Sequence, residues 1–283
     1  MTSGQARPAG TEIDIDAPVS PVVTVTQASK RFAATRALDA LSCTILPGQF
    51  VAIIGKSGAG KTTLLRCLAC MTPLTKGSIR FGAQDIAALR GRALRRHRRR
   101  VGMIYQQFNL VKRLRVIDNV LVGRLGHVRG WRRALTLARH FDRGERDLAL
   151  RSLEHVGLLE RVWQRTDTLS GGEQQRVAIA RILAQQPELI LADEPIASLD
   201  VSNGTLVLET LRRIASRAGL TVVTTLHHVD LARRYADRIL GLRDGRLVFD
   251  GTPAQMNETA MLDIFGELPE EYLTLATKER AAS

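Results

Sequence analysis

The stretch Gly55-Lys56-Ser57-Gly58-Ala59-Gly60-Lys61-Thr62 decides how this chain is read. It follows an apolar run, Phe50 to Ile54, that has the character of a buried strand, and it opens a segment, Thr62 to Met71, that reads as a helix. Glycines permit backbone angles that other residues resist. Successive N–H groups can therefore turn inward and cradle anionic phosphates at a helix N-terminus. The residues Gly55, Lys56, Ser57, Gly58, Ala59, Gly60, Lys61, Thr62 and Thr63 are the expected cradle. Lys61 reaches the terminal phosphates, and the Thr62 hydroxyl is offered to Mg²⁺, which bridges phosphate oxygens. A glycine-rich turn with no ligand is the competing reading. The strand before and the helix after are the context that the phosphate reading requires.

A second carboxylate site follows the run Leu189-Ile190-Leu191-Ala192, which delivers Asp193 and Glu194 to the end of another buried strand. Asp193 fits the Mg²⁺ shell beside Thr62, and Glu194 fits a general base that polarises the attacking water. Adjacent acids also occur at plain helix starts, but pairing with an intact phosphate loop favours the catalytic reading.

The chain has 283 residues, 45% of them hydrophobic and 24% charged, which is ordinary globular usage. No apolar run approaches the roughly 18 to 20 residues needed to span a bilayer. Met1 to Ser20 lacks the apolar core of a secretory signal and reads as a mobile leader, so the chain is expected to stay in the cytosol. Strands are expected near Val22 to Val25, Phe50 to Ile54, Ile79 to Phe81, Val101 to Tyr105, Leu189 to Ala192 and Leu220 to Thr225. Between Val116 and Gln186 the pattern turns helical. Strands at both ends of a helical stretch suggest an α/β core carrying a helical lobe over residues 107–186, within one domain of residues 21–256. A tail, 257–283, has helical character and an acidic stretch, Glu267 to Glu271. No internal repeat is found.

The three cysteines, Cys43, Cys67 and Cys70, are too few for a disulfide framework, and Cys67 with Cys70 reads as two core or interface thiols on one helix face. The formal charge is +13, and only six of the 41 basic residues are lysine. Seven arginines crowd Arg90 to Arg100. A solvated face, a face toward anionic lipid heads and a nucleic-acid surface are all open readings, although no aromatic residues interleave as a single-strand groove requires.

Leu169-Ser170-Gly171-Gly172-Glu173-Gln174-Gln175-Arg176 resembles the signature of ATP-binding-cassette ATPases. Ser170, Gly171, Gly172 and Glu173 stand at a helix start, where a hydroxyl and backbone amides again suit an anion. The resemblance implies an ABC cassette of the P-loop NTPase class, with a RecA-like core, an antiparallel β subdomain and an inserted α-helical subdomain. It also implies a head-to-tail homodimer in which these four residues face the ATP of the partner protomer. Further residues resemble family elements in order. Phe32 corresponds to the aromatic that stacks on adenine, and Gln106 to the glutamine that touches Mg²⁺ and water. Ser198 and Asp200 correspond to the loop crossing the dimer seam, and His227 to the switch histidine at the γ-phosphate. His228 competes with His227, which is favoured because the following position is commonly polar and variable in the family.

Three longer segments, Ala192 to Asp200, Asn119 to Gly126 and Leu226 to Ala232, are similar to the branch of the family that serves phosphonate importers, as are the arginine run and Trp131-Arg132-Arg133. Val201, His228 and the long leader depart from that pattern. The resemblance implies hydrolysis of ATP at the cytoplasmic face of a bacterial inner membrane, on a separate integral permease fed by a periplasmic phosphonate-binding protein. Coupling helices of that permease are expected around Gln107 to Gly126. Import of another solute, such as phosphate, phosphite or a polar amino acid, is the alternative. A soluble cassette acting on ribosome or DNA is a remoter one, and no nucleic-acid partner is expected.

Overall fold

A computed structural model of the protein describes residues 20–128 and 141–268. The leader, the Trp131-Arg132-Arg133 segment and the tail from residue 269 lie outside the described residues.

The fold is organised by β3 (Phe50–Ile54), whose five residues are all buried. Its side chains divide by the two-residue period of a strand: Phe50, Ala52 and Ile54 enter one core cluster, Val51 and Ile53 the other. A strand apolar on both faces must lie between layers, and β3 sits inside a six-stranded sheet of order β10-β9-β3-β8-β7-β6. Its other members are β6 (Val101–Ile104), β7 (Leu189–Ala192), β8 (Thr221–Thr225), β9 (Arg238–Arg243) and β10 (Arg246–Gly251). β9, β3, β8, β7 and β6 pair in parallel, and β10 closes the edge antiparallel to β9. A second sheet, antiparallel and of order β2-β1-β4-β5, is built from β1 (Val23–Phe32), β2 (Thr35–Ile45), β4 (Lys76–Phe81) and β5 (Gln84–Asp85). Val23, Val25, Leu41, Ile45, Ile79 and Phe81 share one core with Val51, Ile53 and the buried side of α1 (Lys61–Leu68).

Opposite that layer, the helices α3 (Val116–Leu121), α4 (Arg143–His155) and α5 (Gly171–Ala184) form the lobe. The lobe is continuous with the main core through Val116, Val120, Leu153 and Ile179. Asn119, 1% exposed, ties it internally. Its amide accepts from Val111 N at 2.8 Å and donates to Val111 O at 3.1 Å and Thr166 Oγ1 at 2.8 Å. Buried Arg124 ion-pairs with Glu145 and donates to Ala184 O at 2.8 Å. The remaining α-helices among the described residues are α2 (Gly91–Arg100), α6 (Val201–Ala218), α7 (Val229–Tyr235) and α8 (Glu258–Phe265). α8 lies in the stretch read as tail, yet it buries Met261 and Ile264 in the same core as β9.

The antiparallel layer is longer than the alternation in the sequence suggests. Register shifts interrupt β1 and β2 and break the two-residue period. The helix after the phosphate loop is shorter than expected. It ends at Leu68, and Cys70 takes a left-handed φ of 52°, so Cys67 and Cys70 do not share a helix face. Burial pushes both thiols up to about 11.

His97 is 1% exposed and packs edge-on against Phe81, with Nε2 3.2 Å from Leu68 O and Nδ1 without a partner. Burial, with Arg100 and Arg98 adding to it, holds its pKa below the ordinary value. Between the folded and unfolded values the unfolded chain binds more protons, so stability falls as pH drops below about 6.5. In denaturant titrations across pH, His97→Phe is expected to flatten this part of the acid limb. Asn119→Ala leaves buried backbone groups unpaired and is expected to lower unfolding free energy by about 3 kcal/mol in the same assay.

Candidate functional site

Parallel pairing brings the candidate residues to one edge. Ile53 pairs with Thr225, and Ile104 pairs with Ala192. Two residues past each of these four positions stand Gly55, His227, Gln106 and Glu194. All four therefore leave the carboxyl ends of adjacent strands, where α/β sheets place their ligands.

The loop after β3 requires its glycines. Gly55 has φ 148°, and a Cβ there stands 2.2 Å from Leu242 O; Gly60 has φ 101°, and its Cβ meets Ala37 O at 2.3 Å. Lys61 is 4% exposed and folds over the loop, donating to Gly55 O at 2.7 Å and Lys56 O at 3.0 Å. Burial holds its ammonium below the usual lysine range, and the carboxylates of Glu194 and Asp193 oppose that shift. Lys56, Ser57 and Gly58 are exposed along the rim, and Thr62 and Thr63 open α1.

Asp193 Oδ1 accepts from Thr62 Oγ1 at 2.9 Å and from Thr225 Oγ1 at 3.2 Å. Thr225 also accepts from Glu194 N at 2.8 Å, so one hydroxyl positions both acids. Its role was not read from the sequence, although a polar residue closing an apolar strand two places before His227 is a visible signal. Glu194 has φ 48°, and its Oε1 lies 2.5 Å from His227 Nε2. With the carboxyl ionised, Nε2 carries the hydrogen of that bond. His227, not His228, is therefore the histidine brought to Glu194. A hydroxyl and a single carboxylate are hard oxygen donors of the kind Mg²⁺ takes when phosphates complete its shell. Among the described residues no three His, Cys, Asp or Glu side chains cluster to cage a metal by themselves.

Gln106 is exposed just past β6. Phe32, 48% exposed, ends β1 with the Lys30 ammonium 4.8 Å above its ring. Ser170 caps α5 in a reciprocal box: its Oγ accepts from Glu173 N, and Glu173 Oε2 accepts from Ser170 N at 2.9 Å. Within the chain, Gly171 and Gly172 neighbour Leu199 and Asn203 rather than the phosphate loop. Asp200 caps α6 and accepts from Ser202 Oγ and Asn203 Nδ2, both at 2.6 Å, which holds its carboxyl well below the usual range. Ser198 is exposed beside it.

A phosphate loop on a central parallel strand, carboxylates two strands away and a serine-glycine helix cap on an inserted lobe define an ATP-binding cassette. The family described as ABC transporter matches residues 38–197, and this chain belongs to it. Its relatives include the phosphonates import ATP-binding protein PhnC of Rhodopseudomonas palustris (strain BisB5), 50% identical and covering 83% of this chain and 86% of the relative. PhnC of Rhizobium etli is also 50% identical, covering 84% of each chain. A dimeric ATP-binding cassette in a post-hydrolysis state, bound to ADP and Pi, superposes with a TM-score of 0.70 at 32% identity, over 82% of this chain and 98% of that one.

A Cβ on Gly172 stands 2.5 Å from Asn203 Oδ1. Gly172→Ala is expected to displace Asn203 from Asp200 and lower unfolding free energy by about 1 to 3 kcal/mol, measured by denaturant titration.

Proposed function

We propose that this chain is the ATP-hydrolysing subunit of an importer, with phosphonates as cargo. The observation that carries the chemistry is the Glu194–His227 contact at 2.5 Å, beside the Thr62–Asp193 pair. The cargo reading draws on the two relatives named phosphonates import proteins at 50% identity. No helix among the described residues is long and apolar enough to cross a membrane, which fits an engine bound to a separate permease at the cytoplasmic face of the inner membrane. A periplasmic phosphonate-binding protein would supply that permease.

In this reading the amides from Gly55 to Thr62 bind the β- and γ-phosphates, and Lys61 turns from its backbone acceptors toward the terminal phosphate. Thr62, Asp193 and Gln106 are the residues that would hold Mg²⁺, which supplies charge neutralisation on the phosphates when bound. Glu194 accepts a proton from the water that attacks the γ-phosphorus, and His227 holds the carboxylate in place. Phe32 supplies a stacking face for adenine. Ser170 and Gly171 are exposed, Glu173 is half-buried and Gly172 is buried, all at the start of a lobe helix. They complete the site only in a head-to-tail homodimer, which Ser198 and Asp200 help to seal.

Glu194→Gln is expected to reduce ATP turnover at least about 100-fold while the chain still binds ATP, measured by phosphate release and by nucleotide binding. Full turnover in that variant would remove the assigned base. For the cargo, the chain reconstituted with its permease and binding protein in liposomes is expected to hydrolyse ATP faster with methylphosphonate than without it. Stimulation by a polar amino acid instead would reassign the importer.

A further inference from the structure

The end of α8 returns to the rim of the phosphate loop, and three contacts fix its place. A Cβ on Gly241 of β9 would stand 2.4 Å from Ile264 Cδ1, so the helix lies close on the strand. Gly266 takes a left-handed φ of 73° and donates its N–H to Leu262 O at 2.7 Å, which turns the chain out of the helix. Arg243 Nη1 donates to the carbonyls of Asp263 at 3.2 Å and Leu262 at 3.4 Å, at the negative end of the helix. Beyond the turn, Leu268 packs against the core. Glu267 stands between these anchors, exposed, and its Oε1 accepts from Lys56 Nζ at 2.8 Å across 211 positions of sequence.

Lys56 is the second residue of the phosphate loop. Its carbonyl accepts from Lys61 Nζ at 3.0 Å and from Ala59 N at 3.1 Å. The side chain of Lys56 is thus tied to the end of the chain, and its backbone to the lysine that turns toward the terminal phosphate. Two anions contend for the Lys56 ammonium. One is the Glu267 carboxylate, which that hydrogen bond holds below the usual carboxylate range. The other is the phosphate chain of an entering nucleotide, which the carboxylate also repels directly. Bracing the carbonyl of Lys56 further favours the arrangement in which Lys61 bonds to the backbone. All three effects have one sign, against nucleotide binding, and by linkage bound nucleotide opposes the bridge.

We infer that Glu267 is a positioning residue for nucleotide binding: acting through Lys56, it holds the phosphate loop at a lower affinity for nucleotide, and bound nucleotide releases it. This rests on the nucleotide reading of the loop and on neither the cargo nor the dimer. Exposure bounds its size. The two side chains are 57% and 74% exposed, so the pair is screened by solvent and shifts affinity a few-fold instead of switching it off.

The test uses the full chain, with ATP turnover and equilibrium binding of a non-hydrolysable ATP analogue with Mg²⁺. Glu267→Gln is expected to lower KM and the analogue's Kd about two- to fivefold with kcat unchanged, and Glu267→Lys to lower both further. In about 1 M salt, where the screening length falls to about 3 Å, the gap between wild type and Glu267→Gln is expected to close. In a Lys56→Gln background, Glu267→Gln is expected to change nothing. Hydrogen exchange of the amides at 266–268 is expected to quicken when the analogue binds wild type and to ignore it in Glu267→Gln. Equal affinity in wild type and both Glu267 variants overturns the inference. So does weaker binding by Glu267→Gln, which would mean that the bridge prepares the loop for nucleotide. A gain that survives in high salt or without Lys56 also overturns it, because the effect then comes from packing of the chain end. Absence of analogue binding in every form removes the nucleotide reading of the loop, and this inference with it.

Discussion

The carboxylate of Asp193 is the point on which the site turns. It leaves β7, yet its Oδ1 receives hydroxyls from the first turn of α1 and from the end of β8, and its own N–H donates to Ile104 O of β6 at 2.9 Å. Four elements are thus bound at one residue, on the edge where parallel strands present their carboxyl ends. Because the strands are buried on both faces, this edge cannot slide without moving β3, β7 and β8 through the core. The phosphate loop and Glu194 keep their relation for that reason.

The same edge explains the backbone at the two most constrained positions. Gly55 must pass close to Leu242 O as the chain leaves β3, and Glu194 takes a positive φ as it leaves β7. The first is a position that excludes side chains. At the second, a side chain is accepted with strain because Thr225 and His227 grip its N–H and its carboxylate.

Arginine serves three different purposes in this chain. Buried Arg124, paired with Glu145, ties the 3₁₀ turn after α3 to α4 and the end of α5. Arg212 and Arg238 each make paired hydrogen bonds to a carboxylate, on Asp237 and Asp250, and staple the far side of the sheet. Arg92, Arg95 and Arg96 of α2 supply exposed positive charge, while Arg100 at the end of that helix forks onto Glu188 as the staples do.

The phosphate loop, the acids after Leu189 to Ala192 and the serine-glycine helix start were legible because each depends on residues within about ten positions. Glycine spacing and strand polarity are local constraints that a sequence states directly. The hairpin β9–β10 was equally local, since Asp244-Gly245, with φ of 49° and 78°, is a turn pair that supports one, but it was not read. The broken alternation of β1 and β2 hid most of the antiparallel layer, because bulges shift which side chains face inward. What only the tertiary structure decided is pairing between distant segments. Strand order set Thr225 against both acids and brought His227 to within 2.5 Å of Glu194. Sequence by itself determined which groups the chemistry has available; burial of the sheet on both faces determined where they meet.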